Sequence, residues 1–282
     1  MSTAEARPAR SVVGWALVGS ELAVLYRRRR TWALHAALAA VPVLIAVAVR
    51  INAERSRSGG PAFLGQITEN GLFVAFAALV VCVPLFLPLA SAVVAGDAIA
   101  GEAAHGTLRY LLAAPAGRVR LLVVKYAAAV VFCLTATLGI VVAGVIAGAA
   151  LFPIGPVTLL SGDTVGVTEA LGRILLVAAY VCVSLLGVVA IGLFVSTLTD
   201  VPMGAMAATL VLCIASQVLD SLPQLDALHP WLFSHLWLGF ADLLRQPIAW
   251  ESFGANALLQ AGYIAVFGAL AFGRFTTKDI LS

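Results

Sequence analysis

The clearest pattern in the chain is a series of six long apolar blocks separated by shorter polar segments. A helix needs roughly 20 apolar residues to cross a hydrocarbon core about 30 Å thick. The sequence therefore predicts an all-α integral membrane protein. Its six transmembrane helices are expected at about residues 31–49, 71–95, 121–152, 171–196, 203–219 and 255–272.

Composition agrees with this pattern. Apolar residues make up 62% of the chain and charged residues 11%, with a mean hydropathy of +1.04, whereas soluble domains average roughly 45–50% apolar and about a quarter charged. A net charge of +3 is too small to indicate nucleic acid, so no nucleic-acid partner is expected. The four cysteines lie within apolar blocks at spacings that match no metal site, and we interpret them as core or lipid-facing residues.

The basic residues predict the orientation. An even number of spans places both termini on one side, where the termini and the loop between the second and third spans hold 12 Lys and Arg residues, against 5 on the other side. The positive-inside rule then predicts cytoplasmic termini and a multi-pass protein of the cell membrane. The N-terminal stretch does not resemble a cleavable signal peptide, so we expect it to be retained.

The segment before the first span predicts an amphipathic helix over residues 11–26. Trp15, Val18, Leu22 and Leu25 recur at helical spacing, and Arg27–Arg30 would hold the end of the helix among lipid headgroups. We interpret residues 1–30 as a cytoplasmic N-terminus with an interfacial elbow helix, and residues 31–282 as the six-span domain. The alternative is a cytoplasmic helix that extends the first span.

The last external loop, about 220–254, is unusually aromatic and predicts one or two helices at the outer membrane interface. His229 and His235 lie six residues apart, on different faces of such a helix, so we expect no metal site there.

The interiors of the spans lack acidic residues. A proton-driven carrier is therefore not favoured, although sodium bound by backbone carbonyls stays open. Gly144 and Gly148 form a GxxxG pattern that permits close helix approach, and Pro84 and Pro88 are expected to bend the second span. We predict that most polar residues in or beside the spans form interhelical hydrogen bonds; they are His35, Ser91, Thr135, Thr137, Ser184, Ser216, Gln217, Asn256 and Gln260.

Known catalytic patterns are missing from the sequence. It has no GxxxxGK[ST] run, no GxSxG and no HExxH, so neither an ATPase nor a hydrolase site is visible. We expect no catalytic, metal or cofactor residue in this chain.

The loop after the second span, about 97–120, carries an unusual share of the charges. Residues 99–114 read as one amphipathic helix with leucines on one side and Glu102, His105 and Arg109 on the other, ended by Pro115. Its apolar side needs a surface to bury against. The membrane interface, other cytoplasmic helices and a partner protein are all open.

In this loop the sequence resembles the permease subunits of ABC-2-type ATP-binding-cassette exporters. That family commonly has an acid-rich start, Gly-Thr-Leu, a Leu-Leu pair, Pro, Gly-Arg or Ser-Arg, and Gly-Lys. The matching residues here are Glu102, Gly106, Thr107, Leu108, Leu111, Leu112, Pro115, Gly117, Arg118 and Lys125, with departures at Ala104, His105, Arg109 and Val124.

The resemblance implies a function. In this family the loop helix docks in a groove of a separate nucleotide-binding ATPase subunit, which binds ATP and magnesium, and two permease copies with two ATPases form the exporter. The residues that anchor the loop would then be Leu108, Leu111 and Leu112, and Pro115 would belong to the same interface. Glu102, Arg109 and Arg118 would orient it, Thr107 would hydrogen-bond locally and Gly106 would allow close approach.

The resemblance also points to a pathway along the first, second and fifth spans at a permease dimer interface. The few charges favour a hydrophobic or amphipathic substrate such as a drug, a lipid or a lipid-linked molecule. The alternatives are a membrane scaffold or sensor that recruits a cytoplasmic partner, a membrane-embedded enzyme, and, for the loop, a helix that lies on the membrane surface.

Overall fold

The computed structural model describes residues 12–52, 67–107, 117–159 and 161–277, with side chains from residue 16 onward. These residues form seven α-helices and one two-stranded hairpin. In chain order they are α1 (Val12–Arg27), α2 (Arg29–Ile51), α3 (Phe73–Ala104), α4 (Arg118–Leu151), β1 (Val157–Thr158), β2 (Thr164–Val165), α5 (Val167–Leu198), α6 (Pro202–Asp220) and α7 (Glu251–Thr277).

Helices α2 to α7 are long and apolar enough to cross a membrane, which confirms the six predicted spans and the all-α membrane fold. Helices α3, α4 and α5 have 32, 34 and 32 residues. At 1.5 Å per residue each is about 50 Å long, well beyond a hydrocarbon core of about 30 Å. Each of these three helices must therefore continue past the apolar slab.

Helices α3 and α5 form the centre of the bundle. In their most apolar windows 61% and 67% of residues are buried, against 22% in α2, 22% in α6 and 17% in α7. Exposed leucines and valines on the outer helices would be unfavourable in water, but they suit contact with lipid chains.

Alternate spans run in opposite directions, which gives the bundle two distinct ends. Lys125 near the start of α4 contacts Glu21 of α1, and Arg118 contacts the last turn of α7. We call this the α1 end. At the opposite end the amide of Gly71 before α3 donates to the carbonyl of Pro153 after α4, at 2.9 Å.

Glycines bring α4 against the start of α3. A Cβ atom at Gly148 would fall on the carbonyl oxygen of Gly71, and one at Gly144 would lie 2.7 Å from the Cα of Ala75. The two backbones touch directly, so the close approach predicted for Gly144 and Gly148 is confirmed.

Two prolines shape the middle of α3. The segment Cys82–Phe86 is a π-helix, a form that is common where a helix accommodates a backbone disruption. Pro88 has no N–H to donate to the carbonyl of Pro84 four residues earlier. The side chain of Gln217 on α6 donates to that carbonyl instead, at 2.7 Å.

Helix α1 is a separate helix rather than an extension of the first span. Arg28 has an extended backbone (φ −75°, ψ 124°) between α1 and α2. The junction is fixed by Trp32, whose indole donates to the carbonyl of Tyr26 at 2.8 Å, and by His35, which hydrogen-bonds to Thr135 of α4 at 3.0 Å. These contacts favour the elbow interpretation, while the side chain of Trp15 lies outside the described ones.

The connections at the opposite end are compact. The hairpin pairs Val157 with Val165 and Thr158 with Thr164. The aromatic connection between α6 and α7 is helical, as short 3-10 helices over Pro223–Leu225, His229–Trp231 and Gly239–Leu244. The one or two helices predicted there occur as three short 3-10 helices, because prolines and tight turns interrupt the segment.

Two buried side chains attach this connection to the bundle. Arg173 of α5, 4% exposed, donates to the carbonyls of Leu243 and Arg245 at 2.9 and 2.8 Å. Tyr180, two turns further along α5, donates to the carbonyl of Leu236 at 2.6 Å.

Candidate functional site at the loop between α3 and α4

The loop begins with a well-formed helix end. Gly106 has a left-handed backbone (φ +69°). Its amide donates to the carbonyl of Ala103 at 3.0 Å, and the amide of Thr107 donates to the carbonyl of Glu102 at 3.0 Å. This is the Schellman arrangement, in which glycine after the cap satisfies the last carbonyls of a helix.

This geometry corrects one prediction. Residues 99–104 belong to α3, and Gly106 ends that helix, so the single helix predicted over 99–114 is interrupted. Nothing lies within 4 Å of a Cβ placed at Gly106. Glycine suits the positive φ at this position, and its close approach to a partner protein stays a prediction.

Thr107 folds back onto Glu102. Its hydroxyl donates to the carbonyl of Glu102 at 3.1 Å and also hydrogen-bonds to the carboxylate Oε2 of the same residue. The local hydrogen bond predicted for Thr107 is therefore present, and it holds the Glu102 side chain in place.

A buried lysine in α4 joins three helices, and one of its partners lies at the start of the loop. Lys125 of α4 is 4% exposed. Its Nζ atom donates to Glu21 Oε1 of α1 at 2.6 Å and to Glu102 Oε1 of α3 at 3.1 Å. We call Glu21, Glu102 and Lys125 the Lys125 cluster. An ammonium group this deeply buried requires such partners, because an unpaired one would be far too costly.

A second ion pair lies beside the Lys125 cluster. Arg28 and Arg30 both donate to Oδ2 of Asp97 at 2.6 Å, and the Asp97 side chain is only 11% exposed. A Cβ at Gly101 would lie 2.7 Å from Asp97 Oδ1, so this glycine leaves room for the carboxylate. Two of the four arginines expected among headgroups therefore bind α3.

The end of the loop is also fixed. Arg118, the first residue of α4, donates to the carbonyls of Thr276 at 2.7 Å and Phe275 at 3.3 Å. These carbonyls belong to the last turn of α7, where a cation interacts favourably with the helix dipole.

The charged groups leave little free space between them. The cavity that they line has a volume of about 30 Å³, room for one or two water molecules. A drug-sized substrate does not fit there. The arrangement is suited to holding helices together and to passing a force between them.

The sequence also matches the model of a known protein family. The family described as ABC-2 family transporter protein matches residues 15–224. The chain belongs to the ABC-2 transporter family. No curated protein matches the sequence.

Membership of the ABC-2 family makes this protein a multi-pass membrane permease of an ABC transporter, a class that works with an ATPase partner. Of the predicted docking residues, the structure brings Glu102, Gly106 and Thr107 together at the start of the loop and places Arg118 at its end. The others lie outside the described residues: Leu108, Arg109, Leu111, Leu112 and Pro115.

Sequence reasoning missed the acidic partners in this ABC-2 protein. Glu21 and Asp97 were not singled out as site residues, and Lys125 was interpreted only as part of the loop motif. A usable signal was present, since Asp97, Glu102 and Lys125 interrupt long helical stretches in a chain with few charges and such residues are expected to pair.

Polar residues deeper in the bundle form hydrogen bonds between spans, as predicted, and one of them joins α7 to the α6–α7 connection. Asn256 of α7 donates to Ser184 of α5 at 2.8 Å, and Gln260 donates to the carbonyl of Phe233 at 2.9 Å. Ser91 of α3 contacts Cys133 of α4 at 3.2 Å.

The two histidines of the α6–α7 connection, His229 and His235, were expected on different faces of a helix but lie close together. Their ring centroids lie 5.9 Å apart, because the segment is not a regular helix. Among the residues that the structure describes, no group of three His, Cys, Asp or Glu side chains could hold a metal ion.

Proposed function

We propose that this chain is the permease subunit of an ATP-driven exporter, in which two permease copies form the pathway and a separate ATPase subunit binds the loop between α3 and α4. ATP and magnesium would bind to that partner. In this proposal the α1 end faces the cytoplasm of a cell membrane, as the excess of Lys and Arg at that end favours.

One observation carries the proposal: the Lys125 cluster joins the start of the loop to α1, α3 and α4. If the two ends of the loop were not fixed to the helices, a force on the loop would move the loop alone. Here the start of the loop is held by Glu102 and Lys125, and its end by Arg118 on α7. A displacement of the loop would therefore move four helices together.

The proposed substrate is hydrophobic or amphipathic. The spans of the protein carry hydroxyl and amide groups rather than charges in their interiors, and charged groups at membrane depth mark the paths of ions and protons. A substrate that enters from the lipid would pass such walls with little desolvation cost.

The test is affinity purification of the full chain in mild detergent, with identification of bound proteins and measurement of vanadate-sensitive ATP turnover. The exporter proposal expects a stoichiometric ATPase. Replacing the predicted anchors (Leu108→Asp with Leu111→Asp) should abolish both recruitment and turnover, because charged side chains would not enter an apolar groove.

A matched control changes two leucines at the opposite end. Leu222 and Leu228 are each 40% exposed, and Leu222→Asp with Leu228→Asp should leave recruitment unchanged. An ATPase that remains bound to the Leu108/Leu111 variant would reject docking through this loop. Recovery of a kinase or regulator without ATP turnover would favour the scaffold or sensor alternative.

A further inference from the structure

A polar cavity lies between α3, α6 and the α6–α7 connection, away from the Lys125 cluster. Its volume is about 200 Å³. It lies at the end of α6, beside the π-helical segment of α3. Its polar lining comes from Gln217, Asp220, Ser221, Ser234, His235 and Trp237.

The cavity has a fixed negative group. Asp220 Oδ1 accepts a hydrogen bond from His235 Nδ1 at 2.6 Å, which holds the carboxylate in one orientation. The side chains of Asp220 and His235 are 25% and 35% exposed, so a ligand can reach them. Among the described lining residues there is no Lys or Arg to neutralise the charge.

Trp237 supplies a second recognition group. The residue is 2% exposed, and its indole Nε1 is buried with no hydrogen-bond partner among the described residues. A buried N–H without an acceptor is costly, and such groups usually meet a water or a ligand.

Apolar surface borders the polar groups. Leu238 lines the cavity and is 47% exposed, and Leu85, which follows the lining residue Pro84 in α3, is 46% exposed. A molecule bound at Asp220 could lay a hydrocarbon chain on these side chains without leaving the lipid.

The geometry points to a binding site for an amphipathic amine that carries an oxygen acceptor beside its ammonium group, as in a choline ester or an amino alcohol. Asp220 takes the ammonium group, Trp237 donates to the oxygen, and the hydrocarbon tail lies along Leu85 and Leu238. As a substrate class this rests on the proposed export function, but the binding itself does not need an ATPase.

The experiment is calorimetric titration of the purified full chain in dodecyl maltoside micelles, whose neutral surfactant is a constant competitor. The probes are lauroylcholine, which has both groups, dodecyltrimethylammonium, which lacks the oxygen, and choline, which lacks the tail. We expect saturable binding that is tightest for lauroylcholine and weakest for choline. Choline as the tightest binder would indicate a free headgroup ligand and overturn the amphipathic assignment.

Variants separate the two groups. Asp220→Asn keeps an acceptor for His235 and should weaken lauroylcholine binding by roughly 10-fold or more, the value of a lost charge-assisted contact, and Asp220→Glu should recover part of it. Trp237→Phe removes the N–H and should weaken lauroylcholine binding while changing dodecyltrimethylammonium binding much less.

The matched control is Asp226→Asn, since Asp226 belongs to the same connection, has a side chain that is 93% exposed and does not line the cavity. Equal affinity in wild type and Asp220→Asn would show that Asp220 takes no part in binding and would overturn the proposal. That result would not touch ATPase recruitment, and a failure to recruit an ATPase would not touch the titration, so the two proposals fail separately.

Discussion

The side chain of Gln217 donates to the backbone carbonyl of Pro84 across 2.7 Å, from α6 to α3. Pro88 cannot supply the usual helical donor to this carbonyl. A backbone oxygen without a donor is expensive inside a membrane. One amide therefore lets α3 keep its π-helical segment and ties that segment to α6.

Replacing Gln217 by Leu should destabilise the protein by about 1–3 kcal/mol, because the Pro84 carbonyl loses its donor. The free energy of unfolding can be measured by dodecyl sulfate titration in mixed micelles. The control is the same change in a Pro88→Ala background, where the new N–H can reach the carbonyl. A cost that is equal in both backgrounds would contradict this explanation.

The contact between α3 and α4 should tolerate no side chain. Gly148→Ala would place a methyl group on the backbone carbonyl of Gly71, and since a Cβ cannot rotate away from its own backbone, the helices must separate. We expect a loss of about 1–3 kcal/mol, as for other overpacked contacts. Gly139 of the same helix has nothing within 4 Å of a Cβ, so Gly139→Ala should cost little or stabilise. Similar stability of both variants would reject the contact.

The Lys125 cluster should be sensitive to loss of its cation. Lys125→Met leaves Glu21 and Glu102 partly buried and close together, and removal of one partner of a buried pair typically costs about 3–5 kcal/mol. Neutralising both acids, by Glu21→Gln with Glu102→Gln, should return part of that stability. The control Arg245→Met breaks a pair whose arginine is 61% exposed and should cost less than about 1 kcal/mol. Equal costs at the two sites would show that the cluster is not coupled through burial.

The helix end at Gly106 should depend on its left-handed backbone. Gly106→Ala forces a Cβ into that conformation at a cost of roughly 1–2 kcal/mol, and hydrogen exchange at the amides of residues 106 and 107 should accelerate. Gly106→Asn should be milder, because asparagine tolerates this region better. Gly19→Ala, on a helix and with open space around the Cβ, is the matched control. Unchanged exchange in Gly106→Ala would contradict the Schellman geometry.

Much of the fold follows from the length and position of the apolar blocks. The six spans, the close approach at Gly144 and Gly148 and the disruption near Pro84 and Pro88 were all predictable, because each depends on local composition or on a single residue type with one strong physical effect. The elbow helix was predictable for the same reason, from helical spacing followed by a run of arginines.

The site was less predictable, because its contacts join residues far apart in the chain. Glu21 and Lys125 are 104 residues apart, and no local pattern links them. The predicted helix over 99–114 was interrupted for a different reason. Alanine-rich residues 98–104 continue α3, whereas apolar periodicity alone gave no weight to Gly106 as a helix end. His229 and His235 were predicted to lie on different faces of one regular helix. Prolines produce 3-10 turns in that segment instead, and the two rings lie close together.

The contact of Arg118 with the carbonyls of Phe275 and Thr276 has a practical consequence for the design of fusion proteins. The last turn of α7 lies beside the end of the loop between α3 and α4. In the proposed exporter, a fluorescent protein or affinity tag inserted at that turn would occupy the space that the ATPase needs, and it would mimic a docking defect. Tags for interaction studies belong instead at the opposite end of the bundle.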